Sequence, residues 1–255
     1  MPHSFPSLTR AGVLTLALAA LAALAAAPAA AQTRVAVSDA QPLGATTVQS
    51  FTQTDVQGRV IAIGITFPES MLIGLPAQPV ETVLRIAQAT TQTPFTHIAI
   101  DWNPQGHEPQ QIYGKPHFDF HFYTLSEQTR AGITASGDDL ARVEKKPNPD
   151  SVPAGYVPTP GGVPQMGAHW INPKSAEFNG QPFTQTLIYG FYDGNFAFVE
   201  PMATTAFLQS KAQVDEALPQ PKAYAAGKSF PTRYTIAFDD KTHTYTVALT
   251  GFEPR

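Results

Sequence analysis

The chain has 255 residues, a formal net charge of −4, 24 prolines and no cysteine. Without cysteine, disulfide bonds and thiolate metal ligands are excluded. A mildly acidic chain without a basic run argues against nucleic acid and against an anionic membrane surface as partners. Few charged residues (14%) together with many prolines predict a loop-rich, mostly β protein.

The first 31 residues predict a secretory signal peptide. Arg10 provides a positive start, an uninterrupted apolar run extends from Val13 to Ala27, and three alanines at 29–31 precede Gln32. The apolar run is short for a membrane span, and no cysteine is available for a lipid anchor. We therefore expect an exported protein, periplasmic or extracellular, without a membrane anchor.

The rest of the chain predicts an extended segment over residues 32–45 and one β-rich domain over residues 46–255. Alternating apolar patterns and turn signals predict strands, in chain order, at 46–54, 58–67, 95–102, 117–123, 183–191, 195–200, 233–238 and 243–249. Residues 80–89 fit a strand or a helical stripe, and we favour the strand. Short helices are predicted at 126–132, 138–145 and 204–217. This pattern predicts a β-barrel or a β-sandwich.

A long proline-rich loop is predicted from Pro147 to Pro182. It carries eight prolines and five glycines, and it contains His169. A loop of this length inside a compact domain is usually functional or wraps a surface.

One predicted strand, from His117 to Tyr123, has two contrasting faces. Its sequence is HFDFHFY, so three phenylalanines alternate with His117, Asp119, His121 and Tyr123. Leaving three phenylalanines in water would forgo roughly 1.5–3 kcal/mol each, so the aromatic face must enter a core. Two imidazoles and a carboxylate then share the opposite face.

These side chains are candidate ligands of a divalent metal, because imidazole and carboxylate are the usual nitrogen and oxygen donors. Loop and strand segments rich in glycine, proline and aromatic residues supply the other candidates. The candidate metal ligands are His107, His117, His121, His169 and Glu200. Zinc is the first choice by ligand type.

The spacing along the strand limits which residues can share an ion. In an extended strand the Cα atoms of His117 and His121 are roughly 13 Å apart, which is too far for a tetrahedral site unless the strand bends. Otherwise one of these histidines binds the ion, and Asp119 joins it or orients a ligand ring. The alternative is a solvated polar face, and for the His-x-Asp-x-His pattern the two interpretations stay open.

Other motifs fail. His107-Glu108 resembles the start of a zinc-protease motif, but Gln111 occupies the position of the second histidine and Pro109 blocks the helix. The segment ending at Gly227-Lys228-Ser229 has Lys222 where a phosphate-binding loop needs its first glycine. His97 and His243 are better explained as a partly buried and a surface residue, respectively.

Four strings in the chain resemble a family of exported bacterial proteins that carry a domain of unknown function. They are DWNPQGHEP (101–109), PHFDFHFY (116–123), PAGYVPTPGGVPQMGAHW (153–170) and YGFYDGNFAFVEPM (189–202). The resemblance covers roughly residues 44–215. It implies one β-rich, oligomeric domain with His117, His121, His169 and Glu200 as a polar cluster, and it implies no particular reaction.

Two functions therefore compete. The first is an exported metal-dependent hydrolase or lyase, in which Asp119 or Glu108 acts as general base. The second is a non-catalytic ligand-binding or envelope protein with a structural metal. A small-molecule ligand and a homo-oligomer are the partners compatible with either function.

Overall fold

The structure is a computed structural model that describes Met1, residues 33–88 and residues 91–255. The chain divides into two units, and the larger one is Gln32–Arg255. The predicted signal peptide lies outside the described residues, apart from Met1. Within the described part of the chain, no helix is both long and apolar enough to cross a membrane.

Strands dominate the larger unit, and the α-helices are short. The strands in chain order are β1 (Arg34–Val37), β2 (Gln41–Leu43), β3 (Thr46–Thr54), β4 (Val60–Pro68), β5 (Val80–Arg85), β6 (His97–Asn103), β7 (His117–Tyr123), β8 (Val157–Pro158), β9 (Ala168–Ile171), β10 (Gln185–Tyr192), β11 (Asn195–Thr204), β12 (Val214–Ala217), β13 (Ser229–Phe230), β14 (Arg233–Asp239), β15 (Thr244–Thr250) and β16 (Glu253–Pro254). The α-helices are α1 (Gln110–Tyr113), α2 (Glu127–Ala131), α3 (Leu140–Val143) and α4 (Thr205–Gln209).

Two antiparallel sheets contain most of these strands. In the first sheet the order is β1-β3-β4-β15-β14-β12, with β2 also paired to β3. In the second sheet the order is β5-β6-β7-β11-β10-β9-β8. The predicted mostly-β class is confirmed. Both sheets have free edges, so the architecture is a sandwich and the barrel alternative is wrong.

One apolar core joins the two sheets. Ile63 and Ile65 of β4 belong to the same buried cluster as Ile98 and Ile100 of β6. The ring of Phe67 on β4 stacks on that of Phe120 on β7, with centroids 6.2 Å apart. The phenylalanine face of β7 therefore lies between the sheets, as its alternation predicts.

The predicted hairpins are confirmed. β3 pairs with β4, β10 with β11, and β14 with β15, in each case antiparallel. The favoured strand at 80–89 is present as β5. The helix predicted from 126 is also present, and the Ser126 hydroxyl caps it by accepting the backbone N–H of Thr129.

The helix predicted over residues 204–217 is wrong beyond its first turns. Only α4 is helical, and the chain then extends into β12. Val214 is buried while the three following residues are exposed, and β12 pairs with the edge of β14. Backbone pairing at a sheet edge thus outweighs the weak helical pattern of this segment.

The proline-rich loop contains a strand that the sequence pattern did not indicate. β9 begins at Ala168 and pairs antiparallel with β10, which places His169 opposite Gly190. The loop therefore reaches the outer face of the second sheet, the face directed away from the sandwich core.

That outer face is covered rather than solvated. Every residue of β7 is buried, on both faces of the strand. An apolar cluster that includes Tyr123 and Phe198 lies near one end of the ionisable face of β7. A second apolar cluster, which includes Tyr113 and Phe183, lies near the other end. The alternative of a solvent-exposed polar face is therefore excluded.

Candidate metal centre

Six side chains at this covered face form two groups that can hold a metal ion. One group is His107, His117 and Asp119, and the other is His121, His169 and Glu200. In each group, the potential donor atoms all lie within 4.8 Å of one another.

Asp119 is the carboxylate of the first group. His107 Nε2 lies 3.4 Å from Asp119 Oδ2, and His117 Nε2 lies 3.1 Å from Asp119 Oδ1. Asn103 Nδ2 donates a hydrogen bond of 2.7 Å to Asp119 Oδ2. The carboxylate is thus held between two imidazoles, and its orientation is fixed from the neighbouring strand β6.

Glu200 is the carboxylate of the second group. Its Oε1 lies 3.5 Å from His121 Nε2, and its Oε2 lies 3.7 Å from His169 Nε2. The register of β11 on β7 pairs Met202 with Asp119 and Val199 with Phe122, which brings Glu200 beside His121. This group is therefore assembled from three strands, β7, β9 and β11.

Gly190 makes room for the second group. A Cβ atom at this position would lie 2.0 Å from the ring of Phe198. That ring packs edge-on against both His121 and His169, with centroids 4.8 and 5.3 Å away. The glycine lets the phenyl ring lie flat over β10, and the ring in turn fixes both imidazoles.

The four histidines share one pattern of ring contacts. The ring nitrogen that does not face the carboxylate lies against a neighbouring polar group. These contacts are His107 Nδ1 to Glu108 O at 2.8 Å, His117 Nδ1 to Lys115 O at 2.6 Å, His121 Nδ1 to Asp101 Oδ2 at 3.0 Å without hydrogen-bond geometry, and the His169 ring to the Gly167 backbone. Metal-binding histidines are oriented in this way, with Nδ1–H on a carbonyl or carboxylate and Nε2 left for the ion.

The separations between donor atoms match those around one ion. Zinc bonds of about 2.0–2.1 Å in a tetrahedron place neighbouring donors about 3.3–3.5 Å apart. The observed Nε2-to-oxygen distances are 3.1 and 3.4 Å in the first group and 3.5 and 3.7 Å in the second. Only small movements would bring each set onto a common ion.

Several of these donor atoms have no hydrogen-bond partner among the described residues. They are His117 Nε2, Asp119 Oδ1, both ring nitrogens of His121, and Glu200 Oε2. A buried polar atom without a partner is costly, and native structures rarely leave one unexplained. A metal ion bound between these atoms would satisfy them.

In the first group, electrostatics favour a protonated imidazole beside an ionised carboxylate. Burial opposes the charged form of His107, but the nearby Asp119 carboxylate outweighs it and raises the pKa of His107 to about 9. Burial also opposes the Asp119 carboxylate, and the adjacent imidazoles of His107 and His117 overcome this effect and lower the pKa of Asp119 well below its usual range.

In the second group, burial and charge act in opposite directions on neighbouring residues. Burial opposes the charged ring of His121, yet Glu200 and Asp101 raise its pKa to about 9. Burial raises the pKa of Glu200 to about 8. Burial, reinforced by repulsion from His121, lowers the pKa of His169 to about 3. His169 is therefore neutral at pH 7, as a metal ligand must be.

The structure places the predicted site residues unevenly. The five predicted ligands lie in the two groups, with His117 and His121 in different groups, and Asp119 lies with His117. Glu108 is in neither group. Its side chain is exposed, and its Oε2 accepts the backbone N–H of Gln110 at 3.0 Å.

Asp101 and Asn103 were missed by the sequence reasoning. Both lie on β6, where the register pairs Asp101 with Asp119 and Asn103 with His117. The alternation of residues 95–102 already put Asp101 on the polar side of this strand, opposite Ile98, Ile100 and Trp102. The signal was present, but the pairing of β6 with β7 was needed to interpret it.

Among the described residues, two further histidines lie outside both groups. His97 is buried, its Nδ1 contacts Thr96 Oγ1 at 2.9 Å, and its ring stacks on Tyr123. Tyr123 stacks on His121 in turn. His243 is exposed and pairs with Glu69.

Comparison with known proteins gives a local similarity. A family model described as "TTHB210-like: Hypothetical protein TTHB210" matches residues 55–102. This stretch extends from the β3–β4 turn to β6, so it contains Asp101 but none of the six residues of the two groups. No curated protein and no solved structure matches the chain.

Proposed function

We propose that the protein is an exported, zinc-binding hydrolase or lyase, with its metal centre on the covered face of the second sheet. The observation that carries this proposal is the shared orientation of four histidines, each with Nε2 directed at a buried carboxylate, while Nδ1 of His107 and of His117 is held by a backbone carbonyl and Nδ1 of His121 lies against Asp101. Buried histidines with unrelated structural roles would not be expected to adopt the same arrangement at four positions.

The donor set supports zinc. Two imidazoles and one carboxylate per group match the ligands of catalytic zinc sites, whereas magnesium and calcium prefer oxygen donors alone. Three protein ligands leave a coordination position for water or substrate, while structural zinc sites usually have four. The number of ligands therefore favours catalysis.

A divalent ion at such a site supplies a Lewis acid that polarises a substrate oxygen and lowers the pKa of water. Other residues of the protein hold the ligand side chains in place. Asn103 fixes the Asp119 carboxylate, Asp101 holds His121, and the ring of Phe198 packs against the imidazoles of the second group. Asp119 serves as a ligand in this arrangement, so of the two predicted general bases only Glu108 stays off the metal, and its exposed carboxylate lies outside both groups.

A non-catalytic function is the second candidate, and burial favours it. The side chains of His117, His121, Asp119 and Glu200 are 5% exposed or less. A metal enclosed to this degree can serve mainly to stabilise the fold, as structural zinc does.

Elemental analysis of the purified protein tests metal binding. We expect bound zinc in the unmodified protein and a large loss of it in a His117→Ala/His169→Ala double variant, which removes one ligand from each group. His243→Ala is the matched control, because this exposed histidine lies outside both groups. Equal metal content in the double variant and the control would refute the proposal.

Activity separates the two candidates. Hydrolysis of p-nitrophenyl acetate and p-nitrophenyl phosphate is measured for zinc-loaded and chelator-treated protein. The catalytic function predicts turnover that is lost on chelation and restored by zinc. Zinc that raises the melting temperature without any turnover would favour the structural role.

Export rests on the sequence of residues 1–31 alone. Mass spectrometry of the protein recovered from its native host tests it, with Gln32 expected as the first residue. A protein that retains Met1 and remains inside the cell would contradict this part of the proposal.

A further inference from the structure

We infer that the two groups bind two metal ions at the same time and form a paired-ion centre for a small oxyanion, with one oxygen of the anion on each ion. This inference rests on the proposed metal binding and specifies the class of ligand that the site takes.

No ligand is shared between the groups. Each contains two histidines and one carboxylate of its own, so an ion in one group removes no donor from the other. Both groups also retain buried donor atoms without a hydrogen-bond partner among the described residues, namely Asp119 Oδ1 and His117 Nε2 in the first and Glu200 Oε2 and His121 Nε2 in the second. A single ion would leave one of these sets unsatisfied.

The groups lie side by side. Asp119 and His121 are separated by one residue on β7 and point to the same face, so their Cα atoms are roughly 6.6 Å apart. Two-metal sites in which one atom bridges the ions need a spacing of about 3.5–4 Å. Side chains that start this far apart on one face can hold two neighbouring ions, and an anion that places a different oxygen on each ion does not need the short spacing of a single bridging atom.

The charge of a doubly loaded centre favours an anion. Ligand histidines are neutral, so two divalent ions face the three carboxylates of Asp101, Asp119 and Glu200, and a net charge of about +1 remains. With one ion, the centre carries less positive charge and offers only one of the two positions that the anion would occupy. Oxyanion binding should therefore require both ions.

The centre is most exposed at His107 and His169, which come from the segments that cover the second sheet. The side chain of His107 is 38% exposed and that of His169 is 16% exposed, whereas the β7 histidines are at most 1% exposed. An anion therefore approaches between His107 and His169, where it meets one ligand of each ion.

Zinc stoichiometry of the full chain tests the pairing. We expect two equivalents of zinc per chain, and one equivalent in each of the single variants His107→Gln and His169→Gln. His243→Gln is the matched control and should keep two. Circular dichroism identifies a variant that fails to fold, and His107→Asn or His169→Asn then replaces it.

Inorganic phosphate is the probe for the oxyanion. We expect it to bind the two-zinc protein at least about tenfold more tightly than either one-zinc variant. Manganese loading gives an independent measurement, because two nearby ions show exchange or dipolar coupling in the electron paramagnetic resonance spectrum.

The outcomes separate this inference from the proposed function. No zinc at all refutes the proposed function itself. One equivalent in the unmodified protein refutes only the pairing. Two uncoupled ions, or phosphate binding that is equal in all variants, would refute the paired-ion centre while metal binding still held.

Discussion

Asp101 shows how one residue can control the centre without belonging to either group. Its Oδ2 lies 3.0 Å from His121 Nδ1, and the register places it opposite Asp119 on the adjacent strand. The carboxylate holds the imidazole with Nε2 toward Glu200. A positioning partner of this kind also increases the basicity of the ligand nitrogen.

Asp101→Asn should therefore weaken zinc binding in the second group. We expect the affinity there to fall about 10- to 100-fold, while binding at His107, His117 and Asp119 changes little. Competition with a zinc chelator measures both affinities. Asp215→Asn is the control, since Asp215 is exposed and pairs only with Arg233. An unchanged affinity in the Asp101 variant would show that this carboxylate does not position the ring.

The raised pKa values of the centre predict how the stability of the metal-free protein depends on pH. The pKa of His121 is about 9 in the fold against 6.5 in a model compound, and that of Glu200 is about 8 against 4.5. A group with a raised folded-state pKa stabilises the fold below its unfolded pKa and loses this contribution as the pH rises through the folded value. Both residues therefore stabilise the fold less as the pH rises.

We expect the melting temperature of the chelated protein to fall between pH 6.5 and pH 9. His97 and His169, whose folded-state pKa values are lowered to about 4 and 3, oppose this trend only near its acidic end, because above about pH 7.5 their imidazoles are neutral in the unfolded chain as well. Stoichiometric zinc should abolish the fall, since bound histidines have already lost their protons. Differential scanning fluorimetry with and without chelator measures the effect. A chelated protein that becomes more stable toward pH 9 would contradict it.

At the scale of elements, the centre depends on which strands are neighbours. The alternation of β7 could be interpreted from the sequence, because a period of two fixes which residues share a face. The neighbouring strands of β7 could not be predicted from the sequence, because the pairing of β7 with β6 and β11 is set by the whole sheet. For that reason the sequence predicts the ligands as one set, and the structure divides them between two groups.

β9 marks a second limit of the sequence. His169 lies in a segment so rich in proline and glycine that its pattern predicts a loop. Its four-residue strand exists because β10 offers a free edge to pair with, not because of local propensity. By contrast, the hairpins β10–β11 and β14–β15 follow compact turn signals, so local sequence was sufficient to predict them.

Gly190→Ala tests whether the packing behind the second group matters. The added methyl group would collide with the Phe198 ring, which contacts both His121 and His169. We expect a destabilisation of about 1–3 kcal/mol from overpacking and weaker zinc binding in the second group. Urea unfolding and zinc competition measure the two effects. Gly132→Ala is a control for the loss of a glycine, because the φ of Gly132 is −82° and an added Cβ would meet no atom closer than 3.4 Å.

At the scale of the whole molecule, the sandwich separates two roles of the second sheet. Its inner face shares one apolar core with the first sheet, while its outer face carries the ligand groups between two smaller apolar clusters. The outer face is enclosed by segments that come from distant parts of the chain, including the one that ends in β9. Binding of metal should therefore tie these segments to the sheet.

The burial of β7 on both faces has a consequence for how this protein tolerates change. A strand with one wet face accepts many substitutions at every second position, whereas all seven residues from His117 to Tyr123 are enclosed. Saturation mutagenesis scored by protein abundance and by zinc retention should show seven consecutive intolerant positions instead of an alternating profile. The cause of intolerance should alternate along the strand. Changes at the phenylalanines should lower protein abundance, and changes at His117, Asp119 and His121 should remove zinc first. A profile with permissive even or odd positions would mean that one side of this strand is open to water in the living cell.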